Sequence, residues 1–223
     1  MTLVERLANL IIKAITGLIC RIDADQLEKV PHQGPLILVT NHINFLEAPI
    51  IYTRLTPRRM TAFGKVETWN SLFLSWIFNL WGIIPIKRGE PDRKALRAGL
   101  AALKEGQILG IAPEGTRSND GKLLKGRSGV VLMALLSGAP ILPIVHFGSE
   151  KYQSNLKRLK RTGVKIIVGR PFMLDPGTKK VTHTIREQMT TDIMVQMAKL
   201  LPPDYRGEYS DLSKGTESYL NFE

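Results

Sequence analysis

The sequence is poor in several things, and each shortage narrows its chemistry. It has one cysteine, Cys20, so it carries no internal disulfide and no multi-cysteine metal site. That usage suits a reducing compartment. Acidic residues are outnumbered: 31 Lys and Arg stand against 20 Asp and Glu, a net charge of +11. Charges interrupt the N-terminal apolar stretch too often for a spanning helix, and the apolar run at 72–86 falls short of the roughly 20 residues that one needs. There is no G-x-S-x-G, so the nucleophilic serine of that motif is missing. No helix-turn-helix, zinc-finger or RNA-recognition signature is visible either. The aromatic residues gather in an apolar run rather than among basic ones, which argues against a nucleic-acid binder.

What remains is a 223-residue chain, 43% hydrophobic, of a size for one domain with a real core. Its cationic surface attracts polyanions: anionic lipid headgroups, phosphorylated metabolites or an acidic carrier protein. At the N-terminus, "MTLVERLANLIIKAITGLICRI" places Leu3, Val4, Leu7, Leu10, Ile11, Ile15, Leu18 and Ile19 at helical spacing. Glu5, Arg6, Asn9, Lys13 and Thr16 fill the other face. Glu5 and the lack of a small-residue cleavage site argue against a signal peptide. Two readings stand: a core helix with a solvated face, or a helix lying in a membrane interface. A second apolar stretch, "LFLSWIFNLWGIIPI" at 72–86, is uncharged. It reads either as a buried helix followed by a strand, or as a membrane-facing segment with Trp76 and Trp81 at headgroup depth.

The pattern predicts strands at 36–40, 60–64, 83–87, 107–112, 141–147 and 164–170. It predicts helices at 3–20, 45–54, 67–80, 92–104, 127–137 and 181–200. Apolar runs such as "ILVT", "ILGIA" and "ILPIVHF" point to strands covered on both faces. The expected fold class is α/β, a mixed, largely parallel sheet flanked by helices, with an N-terminal amphipathic membrane-interface helix. The expected organisation is that helix over 1–22, a single catalytic domain over 23–202, and a loose polar tail over 203–223. The basic cluster "KRLKR" at 157–161 fits a solvated helix end or anionic headgroups.

In such folds functional groups gather beyond the carboxyl ends of strands. Asn41 and His42 follow one predicted strand, Gly64 and Lys65 another, Lys87 and Arg88 a third, and Glu114 to Arg117 a fourth. On one straight helix, His42 and Glu47 would point about 140° apart. With His42 on the strand-to-helix turn and Glu47 in the first helical turns, the ring can fold back to the carboxylate. Nδ1–H then donates to Glu47 and Nε2 is left as a base. With no enzyme nucleophile beside it, such a base serves a hydroxyl on the substrate. As a plain alternative, His42 is a polar strand-end residue. "PEGTRS" offers close backbone approach at Gly115, hydroxyls at Thr116 and Ser118, and a guanidinium at Arg117. Its plain alternative is a loop leading into the "NDG" turn. Arg88 and Lys65 add further anion contacts, so a phosphorylated acceptor is the economical explanation.

Four blocks in order, "NHINFLE" at 41–47, "GIIPIKR" at 82–88, "APEGTRS" at 112–118 and "APILPIV" at 139–145, with "KVE" at Lys65–Glu67, resemble the glycerolipid acyltransferase family. Within it, the chain resembles specifically the bacterial lysophosphatidic acid acyltransferases. The resemblance implies His42 as general base, Glu47 in place of the orienting Asp, and Arg88, Glu114, Gly115, Thr116 and Arg117 on the acceptor. Lys65 would assist the anion or the developing oxyanion. It implies acyl transfer from an acyl thioester to the free hydroxyl of a lysophospholipid, foremost lysophosphatidic acid giving phosphatidic acid.

No metal or other cofactor is expected; acyl-CoA or acyl carrier protein is the co-substrate. The expected partners are an anionic membrane surface, the lysophospholipid and the donor, with no nucleic acid. The expected location is the cytoplasmic face of a membrane, peripheral or monotopic. Two departures from the family pattern are present: Glu47 where Asp is usual, and Lys87 where an acidic residue is common. A different lyso-acceptor, such as an aminolipid or glycolipid, and a non-catalytic lipid-binding homologue are the rival readings.

Overall fold

The computed structural model describes residues 1–87, 89 and 92–222. Its centre is a seven-stranded sheet in the order β1-β7-β6-β2-β5-β3-β4. The strands are β1 (Cys20–Asp23), β2 (Leu36–Thr40), β3 (Met60–Lys65), β4 (Ile84–Ile86), β5 (Ile108–Ile111), β6 (Ile141–Phe147) and β7 (Thr162–Val168). Pairing is parallel throughout β6-β2-β5-β3-β4 and between β1 and β7, and antiparallel between β6 and β7. The expected mixed, largely parallel sheet is therefore the observed one. The carboxyl ends of β6, β2, β5, β3 and β4 open along a single edge, which is where the candidate residues lie.

Among the described residues seven α-helices flank the sheet: α1 (Leu3–Ile19), α2 (Glu47–Leu55), α3 (Leu72–Leu80), α4 (Arg93–Lys104), α5 (Gly129–Ser137), α6 (Tyr152–Lys157) and α7 (His183–Leu200). Alternate residues of the central strands feed two cores. Ile37, Val39, Leu109, Ile141 and Val145 pack with α5 and α7 residues such as Val131 and Ile193. Leu36, Leu38, Ile108, Leu142 and Ile144 pack with Ile50 and Ile51 of α2 and with Cys20. Burial on both faces explains why these strands read as continuous apolar runs.

The first helix is turned apolar side out. Ala8, Asn9 and Thr16 are its buried residues. Leu3, Val4, Leu7, Leu10, Ile11, Ile15 and Leu18 are all at least half exposed, Leu3 reaching 82%. A core helix would present the opposite face, so that reading of the stripe is ruled out. Asn9 accepts from Trp81 Nε1 at 2.9 Å, and Arg54 Nη1 donates to Thr16 Oγ1 at 3.4 Å. Polar contacts thus hold α1 on the body. Among the described residues no helix is long and apolar enough to cross a membrane.

Three expectations need correction. The helix expected over 67–80 is a 3₁₀ turn, Val66–Asn70, followed by α3, because the Ser71 side chain caps α3 by accepting from Leu74 N. Trp81 does not sit at headgroup depth: it is 4% exposed and stacks on Tyr52 with ring centroids 4.3 Å apart. Trp76, by contrast, is exposed, as are Leu72 and Phe73 beside it. Third, the segment after Pro203 is not loose. Leu123 N donates to Tyr205 O at 3.0 Å, Gly126 N to Tyr209 Oη at 2.9 Å, and Thr216 N to the buried Asp192 at 2.8 Å. Tyr209 is buried, and a short strand β9 (Leu220–Asn221) pairs antiparallel with β8 (Met173–Leu174). Scattered aromatic anchors, not a periodic stripe, fasten this segment.

Candidate active site

The turn from β2 into α2 carries His42 at its start and Glu47 as the first helical residue. Asn44 makes that turn: its Oδ1 accepts from Leu46 N at 2.8 Å, and its Nδ2 donates to Ser149 O at 2.9 Å. The chain is thereby folded so that His42 Nδ1 meets Glu47 Oε1 in a hydrogen bond. Glu47 Oε2 accepts from Asn44 N at 3.2 Å. Glu47 is 5% exposed, while the His42 side chain keeps 19% of its surface open. Burial alone would raise the Glu47 pKa. The hydrogen bond from His42 and the electrostatic pull of the two neighbouring imidazoles outweigh burial and hold it below the ordinary carboxylate value. An ionised carboxylate on Nδ1 fixes the tautomer that leaves Nε2 without a hydrogen.

The "APEGTRS" loop follows β5, the neighbour of β2, and is bonded directly to the histidine turn. His42 N donates to Glu114 Oε1 at 2.7 Å. Ser118 N donates to His42 O at 2.8 Å, and Asn119 N to Ile43 O at 3.1 Å. The other Glu114 oxygen accepts from Leu124 N at 2.8 Å. Both carboxylate oxygens are thus engaged by main-chain amides, and the residue is 2% exposed. Burial pushes the Glu114 pKa up to about 7, against the two amide bonds that lower it. In this geometry Glu114 braces the peptide that carries His42. Gly115 sits at φ +67°, a left-handed conformation that disfavours other residues. A Cβ there would also approach Arg127 Cδ to 3.0 Å.

Thr116 and Arg117 are exposed on the same loop. Lys65 ends β3, two strands from β2 and so about 10 Å across the sheet. It is 48% exposed and pairs with Glu67 at 3.4 Å. Arg88 lies outside the described residues. Two residues that sequence reasoning missed belong to this edge. Arg127 lies over Gly115 and adds a second guanidinium beside Arg117's loop. His146, on β6, is fully buried between Asn41 and Glu47. Its place inside an apolar strand run gave no sign of this in the sequence. Cys20 opens β1 instead of ending the first helix, and is buried, which pushes its thiol pKa up. Among the described residues no cluster of His, Cys, Asp and Glu is built to hold a metal ion.

Comparison with known proteins places this geometry in context. Residues 21–146 match the family model Acyltransferase. The chain is 30% identical over 67% of its length to the chloroplastic 1-acyl-sn-glycerol-3-phosphate acyltransferase BAT2 of Brassica napus, of which it spans 44%. It is similar to the 1-acyl-sn-glycerol-3-phosphate acyltransferase of Pseudomonas aeruginosa, 23% identical over 93% of this chain and 80% of that one. The chain spans less than half the length of the chloroplastic relatives of Arabidopsis thaliana and Brassica napus that it matches. The crystal structure of PlsC, the 1-acyl-sn-glycerophosphate acyltransferase of Thermotoga maritima, has the same fold, with a TM-score of 0.62 at 20% identity over 88% of this chain and 81% of that one. The matched segment takes in β2, the histidine turn, β3, β5 and the glycine loop, more than half of the chain, and the protein belongs to the Acyltransferase family.

Proposed function

We propose that this protein transfers a fatty acyl group from an acyl thioester to the free hydroxyl of a lysophospholipid, and that the acceptor is lysophosphatidic acid. The observation that carries the reading is the hydrogen-bonded unit of His42, Glu47 and Glu114, with Gly115, Thr116 and Arg117 on the loop beside it. The names of several relatives, 1-acyl-sn-glycerol-3-phosphate acyltransferases, support the choice of acceptor.

In this mechanism His42 Nε2 removes the proton from the acceptor hydroxyl as its oxygen attacks the thioester carbonyl. Glu47 stabilises the imidazolium that forms. The tetrahedral intermediate collapses, the C–S bond breaks, and the thiol leaves with the proton from His42. No acyl-enzyme is formed. A positioned base contributes about 10²–10⁴-fold, and holding two substrates in register contributes further. Arg117, Arg127 and Lys65 supply positive charge for the acceptor phosphate, and Arg88 follows the neighbouring strand in sequence. Glu114 acts through the His42 peptide, not on the acceptor itself. Coenzyme A and acyl carrier protein present the same reacting thioester, and the cationic surface suits either.

The outward apolar face of α1, the exposed Leu72, Phe73 and Trp76 of α3, and the basic residues 157–161 support a site that works at an anionic membrane surface. Asn9 and Trp81 join α1 to the end of α3, so the two apolar faces belong to neighbouring elements. The test is a panel of lyso-acceptors with a single labelled acyl thioester. Lysophosphatidic acid is expected to give the highest kcat/KM; a higher value with a lyso-aminolipid or lyso-glycolipid overturns the assignment.

A further inference from the structure

His146 is buried in the central strand β6, 1% exposed, yet it is polar on a sheet face otherwise filled by Leu142, Ile144 and Ile166. Three hydrogen bonds lock it to Asn41. Asn41 Nδ2 donates to His146 O at 2.8 Å, His146 N donates to Asn41 Oδ1 at 2.9 Å, and His146 Nε2 lies 3.0 Å from Asn41 O. Because a carbonyl can only accept, Nε2 carries the hydrogen. The same nitrogen lies 3.9 Å from Glu47 Oε2. The other ring nitrogen, Nδ1, is buried with no partner. Protonating it would leave a buried N–H without an acceptor, so the ring is neutral. Burial, the largest influence, lowers its pKa; Glu47 and Glu150 oppose that and His42 adds to it. Glu150 is itself held by Tyr205 Oη at 2.8 Å.

An apolar residue in this place would avoid the cost of leaving Nδ1 unsatisfied. The imidazole instead turns the positive end of its N–H dipole toward the backbone just before His42 and toward the acid behind it. We propose that His146 is a positioning residue of the base: it clamps Asn41, the residue preceding His42, and sets the edge of its ring 3.9 Å from the second carboxylate oxygen of Glu47. The first oxygen of Glu47 is taken by His42 and the second by Asn44 N, so His146 acts on the carboxylate through its dipole and not through a hydrogen bond. The neutral donor stabilises the state in which His42 is free and Glu47 is charged more than the state in which His42 holds a proton. It thereby eases loss of that proton from the His42–Glu47 pair.

This rests on the reading of His42 as the base, and the experiment separates the two. Wild type, His146→Phe, His146→Gln and His42→Ala are compared in a thiol-release assay with lysophosphatidic acid and a long-chain acyl-CoA between pH 5 and 9, with circular dichroism as the fold control. His146→Phe is expected to lower kcat by at least ~10-fold with little change in either KM. The acid limb of its kcat/KM profile is expected to move up by about half a pH unit. His146→Gln, which returns an N–H near the Nε2 position, is expected to recover most of both. If His146→Phe does not fold, His146→Gln against His146→Asn carries the same comparison, since Asn is too short to reach. A His146→Phe enzyme with wild-type kcat, a limb that is unmoved or moves down, or a Gln variant no better than Phe overturns the proposal. Activity retained by His42→Ala refutes the base itself and is read separately.

Discussion

The amide of His42 donates to Glu114 Oε1 at 2.7 Å, so the residue that would take the proton hangs from the acid of the glycine loop. The loop returns the contact through Ser118 N to His42 O at 2.8 Å. Glu114→Ala removes the acceptor of two amides, His42 N and Leu124 N. It is expected to lower kcat by about 100-fold, since small misplacement of a catalytic group is that costly. The KM for lysophosphatidic acid should change little, because the carboxylate faces the protein. Steady-state kinetics in both substrates checks this; a large KM effect at constant kcat would return Glu114 to the acceptor.

Glu47 meets His42 Nδ1 across the turn built by Asn44. Glu47→Gln keeps the shape and removes the charge, and is expected to lower kcat by about 10²–10⁴-fold. Glu47→Asp restores the residue common in the family but shortens the arm by one methylene. In this turn it should fall short of Nδ1 and lose about tenfold in kcat. Measuring both variants shows whether the longer acid is part of the site or incidental to it.

The Glu114 pKa of about 7 also fixes a sign for stability. The folded pKa lies above that of the unfolded chain, so its contribution is fully present below about pH 4.5 and is lost as pH rises toward 7. The loss is on the order of 3 kcal/mol. Urea unfolding of wild type and Glu114→Leu at pH 5 and pH 8 checks it. The wild type should lose stability relative to the variant as pH rises. Glu47 has the opposite sign: its lowered pKa gives stability at neutral pH that fades as pH falls below the ordinary carboxylate range.

Leu7 and Leu18 stand 57% and 75% exposed on α1, so replacing them removes no packing from the core. The double variant Leu7→Gln with Leu18→Gln is expected to keep its Tm and to bind anionic phospholipid vesicles roughly 100-fold more weakly, from about 1.5 kcal/mol or more per leucine. Vesicle sedimentation at fixed lipid composition measures it. Unchanged binding would place the membrane contact elsewhere.

How far the sequence could be read depended on whether a feature was local. The strands Leu36–Thr40 and Ile141–Phe147 lie where the apolar runs predicted them, because strands buried on both faces need no partner to be recognised. His42 and Glu47, five residues apart, and the glycine loop are local motifs, and they were visible as such. Cys20–Asp23 was not, since a four-residue edge strand alternating apolar and polar is easily absorbed into the helix before it. Tyr205, Tyr209 and Thr216 fasten the C-terminal segment through bonds to Glu150, Gly126 and Asp192, which no local pattern encodes. His146 was hidden for the same reason: its partner Asn41 is 105 residues away. Glu114 was visible, but that both its oxygens are occupied by main-chain amides depends on the meeting of two loops.

Thiol release from an acyl thioester, with lysophosphatidic acid present and absent, tests His42 as the base most directly. In purified His42→Ala the acceptor-dependent rate should vanish while vesicle binding and Tm stay at wild-type values. A folded His42→Ala protein that still releases thiol in response to lysophosphatidic acid would contradict it.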